Sequence, residues 1–344
     1  MIHRFDCIIL GAGINGCGIA RALSLAGKQV LVIDKGKIGS GTSSKTSRLI
    51  HGGLRYLENL DILLVKESLN NREKLLSLYP DIVQIVPFFL PVYKNSKRGS
   101  KIIRLGLFLY NMLDTKKRGV YYIDKGEFET LFKYIKTEDL RAIYRYYDGK
   151  TNDLTLVRRV AEDAKSNSAI ILEDTDVNGI SINNNLIKVN AGGVEYATNV
   201  FINATGPWID EVRDKYSLPG RYRTVKVSGI HIEVGFRLVP YPLFLQTDTR
   251  RILFIIPESE VTIIGTTERL ELGCCDHIRI KDEDILYLIY NVNRYLKMPL
   301  KKSDVTGAFI GVRALIGHKG NLSSISRSYK LDFHLLYHSC SCHL

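Results

Sequence analysis

CIILGAGINGCGIARALSLAGKQVLVID, running from Cys7 to Asp34, decides the fold. The apolar residues 7–10 make a short buried strand, and Gly11, Gly13 and Gly16 follow it at G-x-G-x-x-G spacing. Apolar residues recur at helical spacing over 14–26, Gly27 ends that helix, and 29–33 form a second apolar strand. A glycine triplet alone is a weak signal. Set between a strand and a helix it is strong, because the first glycine permits the tight turn, the second the approach of a pyrophosphate, and the third close packing of the helix. The helix amino terminus then faces the phosphates, and Asp34 is placed to accept from a ribose hydroxyl. The unit is a dinucleotide-binding βαβ.

The next residues bear on which dinucleotide. A nicotinamide-binding chain would continue with further strand and helix pairs. Here the second strand enters a glycine- and hydroxyl-rich loop, 39–47, and the sheet resumes more than 100 residues later, which favours FAD. The loop leads into SKTSRLIHGGLRYL, residues 44–57, where Gly52 and Gly53 let the main chain approach a flat or charged group. Arg48 and Arg55 flank them, and guanidinium groups are forks for phosphate.

Farther along, periodicity predicts helices over 61–79, 101–113, 154–164 and 283–296, and strands over 86–93, 142–147, 170–172, 177–182, 186–189 and 198–203. Pro207 suits the first turn of a helix. From Arg223 the texture changes to long β-type segments, 224–234, 243–246, 251–257, 261–267 and 305–312. One nucleotide-binding layer and one larger, mostly antiparallel sheet emerge, with the chain crossing between them several times.

At 344 residues, 45% hydrophobic and 24% charged, the chain has the composition of a globular protein without repeats. Its net charge of +12 favours anionic partners. The basic residues are scattered rather than packed with aromatics, which argues against nucleic acid. Six cysteines occur; Cys7 and Cys17 fall in the buried strand and helix, where thiols behave as small hydrophobes, so a reducing, cytoplasmic setting is expected. His338, Cys340, Cys342 and His343 crowd too closely to surround one tetrahedral ion, and no metal is expected. The amino terminus lacks the apolar core of a signal peptide, and no apolar run is long enough to span a bilayer. Lys94, Lys97, Arg98, Lys101 and Arg104, then Lys116, Lys117 and Arg118, bracket the apolar segment 105–113. That pattern suits docking on an anionic leaflet and equally suits a core helix with solvated ends.

GAGINGCGIA, TSSKTSRLIHGGLRYLE, NATGPW, the strand holding His231, LQTDTRRILFIIP, IIGTTE and the GVR ending at Arg313 occur in the order seen in the FAD-dependent glycerol-3-phosphate dehydrogenases, which the chain resembles from residue 5 to about 331. The resemblance implies an α/β (α+β) fold of glycine-oxidase type, a Rossmann-like FAD-binding domain with βαβ and β-meander interleaved with a substrate domain on a mostly antiparallel sheet. FAD-binding parts would cover about 1–80, 150–215 and 312–332, substrate parts about 81–149 and 216–311, with a divergent tail at 333–344.

It also implies oxidation of sn-glycerol 3-phosphate to dihydroxyacetone phosphate by hydride transfer to flavin N5. Electrons would pass to a quinone, with the protein held peripherally on the inner face of the cytoplasmic membrane and a homodimer admitted. Catalytic roles would fall to Arg55, Arg251 and Arg313 on the phosphate and to His231 as base. From pattern alone, His231 also reads as a buried structural histidine. Thr266, Thr267 and Gln246 would fix the glycerol end. FAD would be held by Gly11, Gly13, Gly16, Asp34, Thr42, Ser43, Ser44, Arg48, His51, Gly52, Gly53, Val177, Ala204, Thr205 and Gly206. Family members continue with a GGKLTTYR-like segment and a helical carboxy-terminal domain; here SRSYKLDFHLLYHSCSCHL stands instead, which bears on flavin retention and turnover and leaves two alternatives, a non-catalytic flavoprotein remnant and an amine oxidase of the glycine or sarcosine oxidase type.

Overall fold

The structure is a computed structural model that describes residues 2–183, 186–249, 251–316 and 330–334. Residues 317–329 of the expected FAD-binding part 312–332, and 335–344 of the expected divergent tail, lie outside the described residues. Its helices are α1 (Ile14–Leu25), α2 (Ile62–Leu78), α3 (Ser100–Leu113), α4 (Lys125–Leu131), α5 (Asp153–Ser166), α6 (Ile209–Lys215) and α7 (Asp282–Asn293).

The glycine-bearing βαβ forms the centre of a four-stranded parallel sheet in the order Phe201–Asn203, Cys7–Leu10, Val30–Ile33, Ile170–Leu172. These strands are near-continuous apolar runs because the sheet is covered on both faces. One face packs α1 and α5 through Cys17, Ala20, Val157 and Ala161, and the other meets the residues of the meander. Gly11 makes the turn at φ 107°. A methyl there would also meet the Ala204 carbonyl oxygen at 2.6 Å, so GAGING and NATGPW lie against each other only because position 11 is glycine.

The meander is a second sheet, His3–Phe5, Val194–Thr198, Leu186–Ala191, Val177–Asn183. The single strand expected over 198–203 is two strands in different sheets. Thr198 causes the break: its hydroxyl donates to the Asp6 and Val200 carbonyls and accepts from the Val200 amide, carrying the chain from one sheet to the next.

Ten strands make the large sheet, along Arg269–Glu271, Thr224–Val234, Thr262–Gly265, Ile252–Pro257, Leu243–Gln246, Val83–Tyr93, Leu140–Thr151 and Leu49–Ile50, with Val305–Ile316 paired to Thr224–Val234 and Tyr121–Tyr122 to Leu140–Thr151. Alternation splits its residues between two layers. Phe88, Leu90 and Val92 face α2 and α3, whereas Phe89 faces the opposite core with α4 and α7. The Gly39–Ser47 loop lies on the last strand, where Thr42 Oγ1 donates to the Val312 carbonyl over 2.7 Å. That contact brings the nucleotide layer to the strand bearing Arg313.

Among the described residues no helix is long and apolar enough to cross a membrane. α3 buries Ile103, Leu107 and Tyr110 but leaves Ile102, Leu105, Phe108 and Met112 more than half exposed. It is a core helix on one side and an uncovered apolar face on the other.

Candidate functional site

At the nucleotide end, Asp34 closes its strand with both carboxylate oxygens anchored, accepting from the Ala12 amide at 2.6 Å and the Gly36 amide at 2.8 Å. α1 follows its N-cap Gly13, which has no side chain to cap it, and carries no acidic residue in its first turn, so its positive end is directed at the glycine turn. Ser43 accepts from the Ile14 amide at 3.0 Å, and a methyl on Gly13 would approach Ser43 Oγ to 3.1 Å. Thr205 bonds Asn203 within the NATGPW turn, where Gly206 has φ 56°. Glycine turn, helix dipole and fixed carboxylate together fit a dinucleotide such as FAD. Ser44 donates to Gly41 and the Val177 carbonyl accepts from Tyr216, so both also shape local backbone.

A cavity of about 120 Å³ opens where the HGGLRY turn, the large sheet and the last strand meet. Arg55 comes from the 3₁₀ turn Leu54–Asn59, Arg251 precedes the strand Ile252–Pro257, and Arg313 lies on Val305–Ile316; all three line this cavity. They meet around Glu268, whose Oε1 is 4.0 Å from Arg55 Nη1 and 3.6 Å from Arg313 Nη1. Arg251 Nη1 donates to the Glu268 carbonyl over 3.1 Å. Three guanidiniums face Glu268 and Asp148, and the latter is already held by Arg72, so the positive excess makes the cavity an anion site. Thr266 lines it too, along with His51 and Gly53.

Other expected site residues, some of them expected on the cofactor, do not line this cavity. Arg48 faces acids, with Glu258 at 3.4 Å and Glu233 at 3.8 Å, and is not part of the lining. Thr267 accepts from the Ile230 amide, and Gln246 is tied through its amide group to Arg98 backbone atoms, so these two hold strands and loops rather than the cavity. Gly52 is needed for protein packing: a methyl there would fall 2.4 Å from Leu69 and 2.5 Å from the Tyr110 hydroxyl.

That hydroxyl belongs to a buried polar network. The Gly52 amide donates to Tyr110 Oη at 2.7 Å, and Tyr110 donates to Asp148 Oδ2 at 2.8 Å. Arg72, wholly buried, holds Asp148 at 2.9 Å and Asp114 at 2.8 Å. Burial works against the Arg72 charge, but Asp148, Tyr110 and Asp114 outweigh it and keep the guanidinium protonated. The HGG turn is therefore pinned from beneath by charge pairs.

His231 is buried behind the cavity wall. Its Nε2 shares a hydrogen bond of 2.8 Å with the hydroxyl of Ser47, which does line the cavity, and its ring stacks on Phe309. Nδ1 is buried without a hydrogen-bond partner among the described residues. Burial first, then Arg313 and Arg48, push the imidazole down to about 3, so it is neutral at pH 7. The unfolded chain binds a proton below its ordinary value near 6.5 while the folded one does not. Stability from this group is thus complete above pH 6.5 and is lost as pH falls toward 3, by up to about 1.4 kcal/mol per pH unit. Urea midpoints at pH 7 and pH 5 are expected to differ more for the wild type than for His231→Gln; equal differences would assign the acid sensitivity to other groups.

Sequence reasoning missed Glu268, Ser47, Asp148 and the aromatic walls Phe88, Tyr146, Phe244 and Phe254. The period-two faces of their strands carried a signal for the walls. Glu268 stood in the quoted IIGTTE but had no role until Arg55 and Arg313 were seen beside it.

Comparison with known proteins gives a consistent picture. The family model described as FAD dependent oxidoreductase matches residues 6–342. A D-erythritol 1-phosphate dehydrogenase of Brucella abortus is 34% identical over 95% of this chain and 67% of its own length. The aerobic glycerol-3-phosphate dehydrogenase of Escherichia coli is 33% identical over 96% of this chain and 67% of its own. Among solved structures, the glycerol-3-phosphate dehydrogenase of Bacillus halodurans, complexed with FAD, superposes with TM-score 0.74 at 21% identity, over 91% of this chain and 57% of that one. Glycine oxidase of Geobacillus kaustophilus gives 0.72 at 20% identity, over 91% and 84%. The chain thus spans about two thirds of the curated relatives.

Proposed function

Because this chain belongs to the FAD-dependent oxidoreductase family, we propose that it oxidises sn-glycerol 3-phosphate to dihydroxyacetone phosphate and delivers the electrons to a quinone. The observation that carries this reading is the convergence of Arg55, Arg251 and Arg313 on one cavity. A phosphate dianion needs such forks, and an amino acid substrate does not need three of them.

FAD, when bound, supplies a hydride acceptor at N5. The chain does the rest. The arginines fix the phosphate and so the carbon chain, giving the entropy advantage of a held reactant. The C2 hydroxyl proton passes through Ser47 to His231, whose Nε2 already shares the Ser47 hydrogen. An imidazole held near 3 is a weak base. Burial is the larger cause of that depression and Arg313 the next, and a dianion beside Arg313 offsets the second, so the base strengthens when substrate is in place.

The quinone and the membrane belong to the same proposal. The exposed apolar face of α3, with Lys101 and Arg104 beside it, lies on an anionic bilayer. Co-sedimentation with anionic vesicles, lost in Phe108→Asp, supports that placement; unchanged sedimentation refutes it. The similarity to a D-erythritol 1-phosphate dehydrogenase favours one second reading, a longer phosphorylated polyol as substrate. Turnover assays separate the cases. Glycerol 3-phosphate should reduce a short-chain ubiquinone with little peroxide in air, whereas peroxide release with glycine or sarcosine would move the protein to the amine oxidases.

A further inference from the structure

Two carboxylates line the anion cavity: Asp148, which is held by Arg72, and Glu268, which lies against the cavity's own arginines. Glu268 has a side chain only 8% exposed, it lies between Arg55 and Arg313, and its own carbonyl holds Arg251. A site built only to bind phosphate has no use for a buried carboxylate among its arginines, since the carboxylate competes with any incoming anion for the same guanidinium edges. It is useful where the ligand carries hydrogen-bond donors next to its phosphate. A neighbouring hydroxyl can donate to Glu268 and offset the repulsion, and a bare anion lacking hydroxyls cannot.

We propose that Glu268 is the specificity-determining residue of this cavity, a fixed carboxylate that penalises simple anions and is compensated by the hydroxyls of a phosphorylated polyol. This rests on the reading of the cavity as a polyol phosphate site. It makes selectivity a difference between two ligands at one set of arginines rather than an added contact.

The test is calorimetric titration of the purified flavoprotein with inorganic sulfate and with glycerol 3-phosphate, in wild type, Glu268→Gln and Glu268→Asp. Removing the negative charge in Glu268→Gln is expected to tighten sulfate about tenfold and to weaken glycerol 3-phosphate about tenfold or more, as the loss of a hydrogen bond to a charged group does. Glu268→Asp keeps the charge and should keep the wild-type order of affinities. Opposite movement of the two ligands is the signature. If Glu268 only orients the arginines, both ligands weaken together in Glu268→Gln; movement in the same direction, or none, overturns the proposal. Should wild type fail to prefer glycerol 3-phosphate over sulfate, the substrate reading fails, and the sulfate titration with D-erythritol 1-phosphate as the partner ligand still decides the role of the carboxylate. Thermal unfolding of each variant separates these outcomes from loss of fold.

Discussion

Arg313→Ala is expected to lower kcat/KM for glycerol 3-phosphate by about two to three orders of magnitude while FAD stays bound. Truncating one partner of a buried charge pair costs about 2–5 kcal/mol, a figure that would apply to Arg313, now 29% exposed and 3.6 Å from the Glu268 carboxylate, once a phosphate closes over it. Most of the loss should fall on KM, because the guanidinium is proposed to hold the phosphate in ground state and transition state alike. A second consequence distinguishes this residue from its neighbours. Arg313 is the larger of the two charges that depress His231, so its removal should raise the imidazole and move the pH dependence of flavin reduction upward. Arg55→Ala is expected to raise KM in the same way without that displacement, since Arg55 does not figure among the causes acting on His231. Arg313→Lys should restore only part of the loss, a point charge being a poor substitute for a planar fork. Initial-rate kinetics across pH check all three; an unchanged KM in Arg313→Ala would remove it from the phosphate site.

Arg72→Met carries the largest expected effect on stability. The side chains of Asp114 and Asp148 are 4% and 2% exposed, and each meets Arg72 within 2.9 Å. Removing the cation leaves two buried carboxylates short of a partner, a situation that costs about 3–5 kcal/mol. Arg118 would still pair Asp114, so the uncompensated charge would fall mainly on Asp148. Asp148 also anchors Tyr110 and the Gly52 amide, so the HGG turn should loosen with it. Adding Asp148→Asn to Arg72→Met should recover part of the loss, as residues in one network are not additive. Urea unfolding measures both, and a double variant no more stable than the single would argue that packing, not charge, dominates at Arg72.

Much of this was legible in the chain because strong local signals agreed. The strand, glycine turn and helix of residues 7–34 could be read directly, since Gly11 and Gly16 sit where a methyl would run into backbone. The long strands after Arg223 were legible by composition. α4 was missed although Asp124 caps it and accepts from the Glu127 amide, a three-residue signature hidden between two tyrosine-rich stretches. The break at Thr198 depends on a hydroxyl that meets the backbone of Val200 two residues on and the carbonyl of the distant Asp6, which periodicity cannot show. Gly52 was read as making room for a ligand; its closeness to Leu69 and Tyr110, residues 17 and 58 positions later, was not visible in the sequence. Arg48 and Arg55 look alike in SKTSRLIHGGLRYL; only tertiary structure sends the first to Glu233 and Glu258 and the second to the cavity. Pairings across the fold decide the site, and the local sequence decides the scaffold.

The most direct measurement is anaerobic mixing of the purified flavoprotein with glycerol 3-phosphate while the oxidised-flavin absorption band is followed. Bleaching of that band, with dihydroxyacetone phosphate formed one for one, is the expected result. A flavin that remains bound and oxidised in the presence of saturating glycerol 3-phosphate would contradict the assignment of the three-arginine cavity to this substrate.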